Sequence, residues 1–139
     1  VSCVFCEIAA GRAPAYIIFR SARVIAFLDK YPIQSGHTLV APVKHFRDLL
    51  ETPDDILFEL TRVVKLVAGA QVRALGAKGV RVVQNNGSAA GQVIFHVHFH
   101  VIPFYGLPQR GRKELDSSEG ERIARTLSTA LVDAESAKR

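Results

Sequence analysis

The chain has 139 residues, 48% apolar and 22% charged, with 18 Lys and Arg against 13 Asp and Glu, a formal net charge of +5, five His, two Cys and neither Met nor Trp. That composition excludes a disordered or collagen-like chain and predicts one domain, residues 1–139, whose core needs no disulfide framework. The basic excess is spread thinly, six bases against three acids in residues 1–50, five against four in 51–104 and seven against six in 105–139, so no basic block points to nucleic acid.

No run approaches the ~20 apolar residues of a membrane span, and no charged-then-apolar signal opens the chain. A cytoplasmic enzyme or binding protein is expected, with no membrane contact. The absent Met predicts a removed or omitted leader before Val1. Cys3 and Cys6, two residues apart, would close only a trivial loop if oxidised, which leaves a metal or a redox role.

The β-branched and aromatic runs Tyr16 to Phe19 and Val24 to Leu28, separated by a short polar break, predict a hairpin. Asp29 to Gly36 reads as a loop, and His37 to Ala41 as a third strand ending at Pro42. A helix is predicted over 53–75, with Thr52 as N-cap, Pro53 at its first position, Asp54 and Asp55 at the positive end of its dipole, and Gly76 as C-terminal cap. Ile56, Leu60, Val63, Val64 and Val67 recur at helical spacing. Val80 to Gln84 predicts a fourth strand and Val93 to Ile102 a long fifth. A second helix follows, capped by Ser118 with Glu121 three residues on, and striped by Ile123, Leu127, Ala130 and Leu131. This order lacks regular strand-helix alternation, so the fold class is α+β: an antiparallel sheet of about five strands with a long helix packed on it and a C-terminal helix.

The chemistry concentrates in the fifth predicted strand. Side chains alternate along a strand, which puts His96, His98 and His100 on one face and Phe95, Val97, Phe99 and Val101 on the other, the latter to be covered by the helix of residues 53 to 75. Three imidazoles at strict alternation are costly to bury and point to chemistry, since His ligates metals and titrates near neutrality. In a strand, His96 and His100 lie about 13 Å apart, so at most two of the three would share an ion, leaving the others for nucleophilic or acid-base work, including attack on phosphorus. The preceding loop, Asn85 to Gln92, is either an ordinary Asn-Gly turn or a backbone cradle for phosphate.

The motif His96-Val97-His98-Phe99-His100-Val101-Ile102 resembles that of the histidine triad family of nucleotide-binding proteins. The likeness extends to Cys3-Val4-Phe5-Cys6-Glu7-Ile8, Ala26-Phe27-Leu28-Asp29, Gly36-His37-Thr38-Leu39-Val40-Ala41-Pro42 with Lys44-His45, and Gly91-Gln92. The resemblance implies an α+β protomer, usually a homodimer, that binds purine nucleoside monophosphates and hydrolyses or transfers nucleotidyl groups. By position, His98 resembles the nucleophile that forms a nucleotidyl-histidine, and His100 a phosphate contact. Asn85, Gly91 and Gln92 resemble the phosphate-side loop and Asp29 the acceptor of the ribose hydroxyls. Phe5, Ile8 and Phe27 resemble the slot for the base, although plain core is an equal reading. The same resemblance makes Cys3, Cys6, His45 and His96 a closed structural zinc site. One departure stands out: Val93 occupies a position where better-known branches carry Ser or Thr. His37 has no assigned role. Three activities compete: nucleoside phosphoramidate hydrolysis, dinucleoside polyphosphate hydrolysis, and nucleotide binding or scaffolding with incidental hydrolysis.

Overall fold

The computed structural model describes residues 3–108 and 111–137; the leader expected before Val1 lies outside them. A short helix α1 (Val4–Ala9) opens the fold, followed by strands β1 (Ile17–Arg20), β2 (Val24–Leu28) and β3 (Thr38–Pro42), helix α2 (Asp54–Leu75), strands β4 (Gly79–Val83) and β5 (Phe99–Phe104), and helix α3 (Ser117–Ala137). The strands form one sheet in the order β1-β2-β3-β5-β4, with every neighbouring pair antiparallel. The α+β class read from the sequence is the fold observed. Among the described residues no helix is long and apolar enough to cross a membrane.

The sheet is buried on both faces at its centre, where all five residues of β2 and of β3 are buried. Alternate side chains explain this. Val24, Ala26, Leu28, Val40 and Val101 pack with the α2 stripe Leu60, Val63 and Val67 and with Ile123, Leu127 and Leu131 of α3. Ile25, Phe27, Leu39 and Ala41 point the other way, onto Phe5 and Ile8 of α1. Each large aliphatic side chain buried there contributes roughly 1.5–3 kcal/mol. The helices therefore divide, α2 and α3 under one face and α1 over the other, which carries the histidines.

Two helix starts differ from the sequence reading. Pro53 is the N-cap of α2, not its first residue, and no side chain caps it; Thr52 instead donates its hydroxyl to the Asp48 carbonyl at 2.7 Å. The cap of α3 is Asp116, not Ser118: its carboxylate accepts the Glu119 N–H at 3.3 Å. Gly76 does end α2, in the left-handed conformation with φ 74°.

The largest correction concerns β5. Residues 93–98 are not strand, and Phe95 is 45% exposed, outside the apolar face assigned to it. The register Thr38↔Val101, Leu39↔His100, Val40↔Phe99 would next pair Ala41 with His98 and Pro42 with Val97. Pro42 has no N–H to give, and its carbonyl is taken at 2.8 Å by the ring Nε2 of His96. The Val97 N–H goes instead to the Phe46 carbonyl at 2.8 Å. Freed from the ladder, the segment wraps toward α1, and the spacing of about 13 Å expected for a straight strand does not apply to His96 and His100.

Candidate active site and candidate metal centre

The turn into α1 places Cys3 at its N-cap, with the Cys6 N–H donated to the Cys3 sulfur at 3.4 Å. Residues three apart at a helix start share a side, so both sulfurs face the wrapped segment. His96 Nδ1 lies 3.4 Å from the Cys3 Sγ and 3.5 Å from the Cys6 Sγ, and His45 Nδ1 3.4 Å from the Cys6 Sγ. The four donor atoms lie within 4.8 Å of one another. Tetrahedral zinc with ordinary Zn–S and Zn–N bonds sets its sulfur and nitrogen ligands about 3.6 Å apart, close to the distances found. His96 is fully buried, and donation of its Nε2–H to Pro42 leaves the Nδ1 lone pair toward the sulfurs. Burial, then the neighbouring Cys3, push the Cys6 thiol up to about 11, a cost that a cation bound between the sulfurs would reverse. The donor set fits a closed metal site.

Across the same segment lies a cavity of about 1450 Å³ lined by Phe5, Phe27, Asp29, His98, His100 and Arg112, among others. His98 donates Nδ1–H to the His96 carbonyl at 2.7 Å. Burial lowers the pKa of this ring, so it is neutral at pH 7 and its Nε2 carries a lone pair. The Phe5 ring stands edge-on to His98 at 5.0 Å and to Phe27 at 5.2 Å. Phe5, Ile8 and Phe27 thus both pack in the core of this face and line the cavity. Asp29 is nearly buried; its Oδ1 accepts the Tyr31 N–H at 2.8 Å and its Oδ2 an Arg112 N–H at 3.2 Å. Burial raises the Asp29 pKa, opposed by the Tyr31 N–H and by Arg112.

Asn85, Gly91 and Gln92 line the cavity too, but the Gln92 amide is committed to the loop itself. Its Oε1 accepts the Gly87 N–H at 2.7 Å, and its Nε2 donates to the Arg47 carbonyl at 2.7 Å and the Ile94 carbonyl at 3.1 Å. The side chain braces the loop, and the N–H groups of Gly87, Ala90, Gly91 and Gln92 are likewise spent on acceptors within it. Val93, 80% exposed, sits at the rim.

His37, to which the sequence reading assigned no role, is fully buried behind His100. The Ile33 N–H donates to its Nδ1 at 3.0 Å, so the proton of the neutral ring is on Nε2. That nitrogen lies 2.9 Å from His100 Nδ1, which therefore accepts, and the proton of His100 is on its own Nε2. Burial, then the charge of His100, push His37 down to about 3, and burial, then His98, push His100 to about 4. The relay Ile33 N–H, His37, His100 fixes the tautomer of a cavity-lining imidazole. The only sequence signal for it was a His beside Gly36, just ahead of β3. The Oδ2 of Asp29, 3.5 Å from His37 Nε2, draws these three residues into a second cluster of possible ligands, but the guanidinium on that oxygen opposes a cation there.

An open antiparallel sheet whose neutral, hydrogen-bonded imidazoles line a cavity beside a Cys2His2 cluster defines an α+β protein with a candidate ligand site and a candidate nucleophile. The family model described as HIT domain matches residues 10–107, and the chain belongs to that histidine triad family. It is 46% identical over 101 residues to an uncharacterized HIT-like protein of Saccharolobus solfataricus, covering 73% of each chain. It is 40% identical over 101 residues to the adenylylsulfatase HINT3 of Arabidopsis thaliana, covering 73% of this chain and 51% of that one. The adenosine 5'-monophosphoramidase HNT1 of Candida albicans is 39% identical over 106 residues, covering 73% and 70%. Among solved structures, a hypothetical histidine triad nucleotide-binding protein of Sulfolobus tokodaii superposes with TM-score 0.90 at 38% identity, covering 94% and 93%. A zinc-bound histidine triad protein of Mycobacterium smegmatis gives 0.88 at 38%, covering 98% and 97%.

Proposed function

We propose that the protein is a purine nucleotide-binding hydrolase that breaks the bond between the α-phosphorus and its leaving group in nucleoside phosphoramidates or related nucleotidyl conjugates. The observation that carries this reading is the His98 tautomer: with Nδ1–H held on the His96 carbonyl, the Nε2 lone pair is the nucleophile. It attacks phosphorus, the leaving group departs, and water cleaves the nucleotidyl-histidine. His100 Nε2–H hydrogen-bonds a phosphate oxygen, which lies against the cavity-lining loop residues Asn85, Gly91 and Gln92. Asp29 accepts from the ribose hydroxyls, and the base enters the slot of Phe5, Ile8 and Phe27. The names of two relatives, adenylylsulfatase and adenosine 5'-monophosphoramidase, support nucleotidyl hydrolysis and differ in leaving group, sulfate against amine.

Zinc is the metal proposed for Cys3, Cys6, His45 and His96; bound there, it would supply a closed cross-link between the N-terminal arm and the segment before β5, with no open catalytic position. The same proposal places the protein in the cytoplasm as a homodimer. Replacing His98 by Ala is expected to abolish turnover of a fluorogenic adenosine phosphoramidate while calorimetric AMP binding persists. Turnover at the parent rate would exclude His98 as nucleophile.

A further inference from the structure

Residues 111–116, just ahead of α3, border the cavity through Arg112, Glu114 and Leu115. Leu115 buries its side chain in the α2/α3 core and donates its N–H to the Lys30 carbonyl at 2.8 Å, which fixes the register of the residues just before it. Three positions earlier, Arg112 reaches Asp29 Oδ2 with one N–H at 3.2 Å. Asp29 is its only hydrogen-bond partner among the described residues, and a guanidinium has five N–H donors. The side chain is 52% exposed and lines the cavity together with His98 and His100. Its charge is felt at both His37 and His100.

The cavity is larger than a mononucleotide needs. At about 1450 Å³ it exceeds the ~300–1,000 Å³ of ordinary small-ligand sites. The imidazoles bear on the leaving group too. An amine must take up a proton as it departs, yet His37 and His100 are held neutral, and a neutral imidazole is a weak acid. A group that leaves as an anion needs no proton but gains from a fixed cation beside it, and a guanidinium matches the oxygens of sulfate or phosphate with paired N–H donors.

We propose that Arg112 is the specificity-determining residue of this site, binding the leaving group, so that nucleoside 5'-phosphates joined at the α-phosphorus to a second acid group, sulfate or phosphate, are preferred over neutral amides. This rests on the nucleotidyl-hydrolase reading above and deepens it. His98 Nε2 gives its lone pair to phosphorus, the P–O bond to the second acid breaks, and that bond's electron pair leaves on oxygen as the free anion held by Arg112. Water then attacks phosphorus, the P–N bond breaks with its pair returning to His98 Nε2, and one proton passes to solvent.

The test compares kcat/KM for adenosine 5'-phosphosulfate, for ADP and for the tryptamine amide of AMP, in the full chain and in its Arg112→Ala and Arg112→Lys variants. The parent is expected to favour an anionic conjugate. In Arg112→Ala the anionic-to-neutral ratio is expected to fall tenfold or more, with partial rescue in Arg112→Lys; the phosphosulfate and ADP arms tell sulfate from phosphate. If Arg112 merely shields Asp29, all three substrates fall in parallel and the ratio holds, which overturns the assignment while leaving the hydrolase reading intact. A parent chain that turns over none of the three and binds no AMP overturns the hydrolase reading and the assignment with it.

Discussion

Replacing His37 by Gln isolates the energetics of the buried relay. The ring is held neutral in the fold at a pKa of about 3 against an ordinary value of 6.5, so between these values the unfolded chain binds a proton that the folded chain does not. Stability from this group is fully present above pH 6.5 and is lost as pH falls toward 3, by about 1.4 kcal/mol per unit. From pH 7 to 5 the loss comes to about 2 kcal/mol. The Gln amide keeps a donor toward His100 Nδ1 but removes both the titrating group and the acceptor of the Ile33 N–H, which costs about 1–3 kcal/mol at pH 7. Urea unfolding of parent and variant at pH 7, 6 and 5 reads both effects. The variant is expected to be the less stable at pH 7, with the gap narrowing by about 2 kcal/mol at pH 5. Parallel losses in the two proteins would refute a buried, neutral His37.

Leu127 is fully buried where α3 meets α2 and the sheet, and Leu127→Ala is expected to cost about 2–5 kcal/mol in urea unfolding. Gly36 has φ +98°, and a Cβ there would lie 2.5 Å from Leu75 Cδ1; Gly36→Ala should cost about 1–3 kcal/mol, read by thermal melting. For the Cys2His2 cluster, metal analysis of protein purified without chelator should find one zinc per chain. Its removal should lower the melting temperature and expose α1 to protease; absence of zinc in the purified protein counts against the site.

What could be read from the chain depended on how local the cause was. The α2 stripe follows from residue spacing and the β1-β2 hairpin from its β-branched and aromatic runs, and the structure has both. Six-residue α1 carries the same helical spacing in Phe5, Ile8 and Ala9, all buried, but its Cys-x-x-Cys drew attention as a ligand pair instead. The alternation Val93 to Ile102 is a true strand signal that stops acting as one at His98, because the partner strand ends in a proline whose carbonyl the His96 ring takes. Nothing within the segment announces that.

The candidate site divides in the same way. Histidine types and spacing marked His96, His98 and His100, and the structure gives them different surroundings: His96 faces the sulfurs, while His98 and His100 line the cavity. One carbonyl divides the work, since the His96 backbone that carries the candidate metal ligand also accepts the His98 Nδ1–H. His37 and Arg112 were out of reach of spacing arguments, because each acts on a group 63 and 83 residues away along the chain. Their partners became adjacent only when β3 paired with β5 and when the segment ahead of α3 folded back over Asp29. The residues that set the tautomer and the charge of this site are thus placed by topology, while the residues that would do the chemistry are placed by motif.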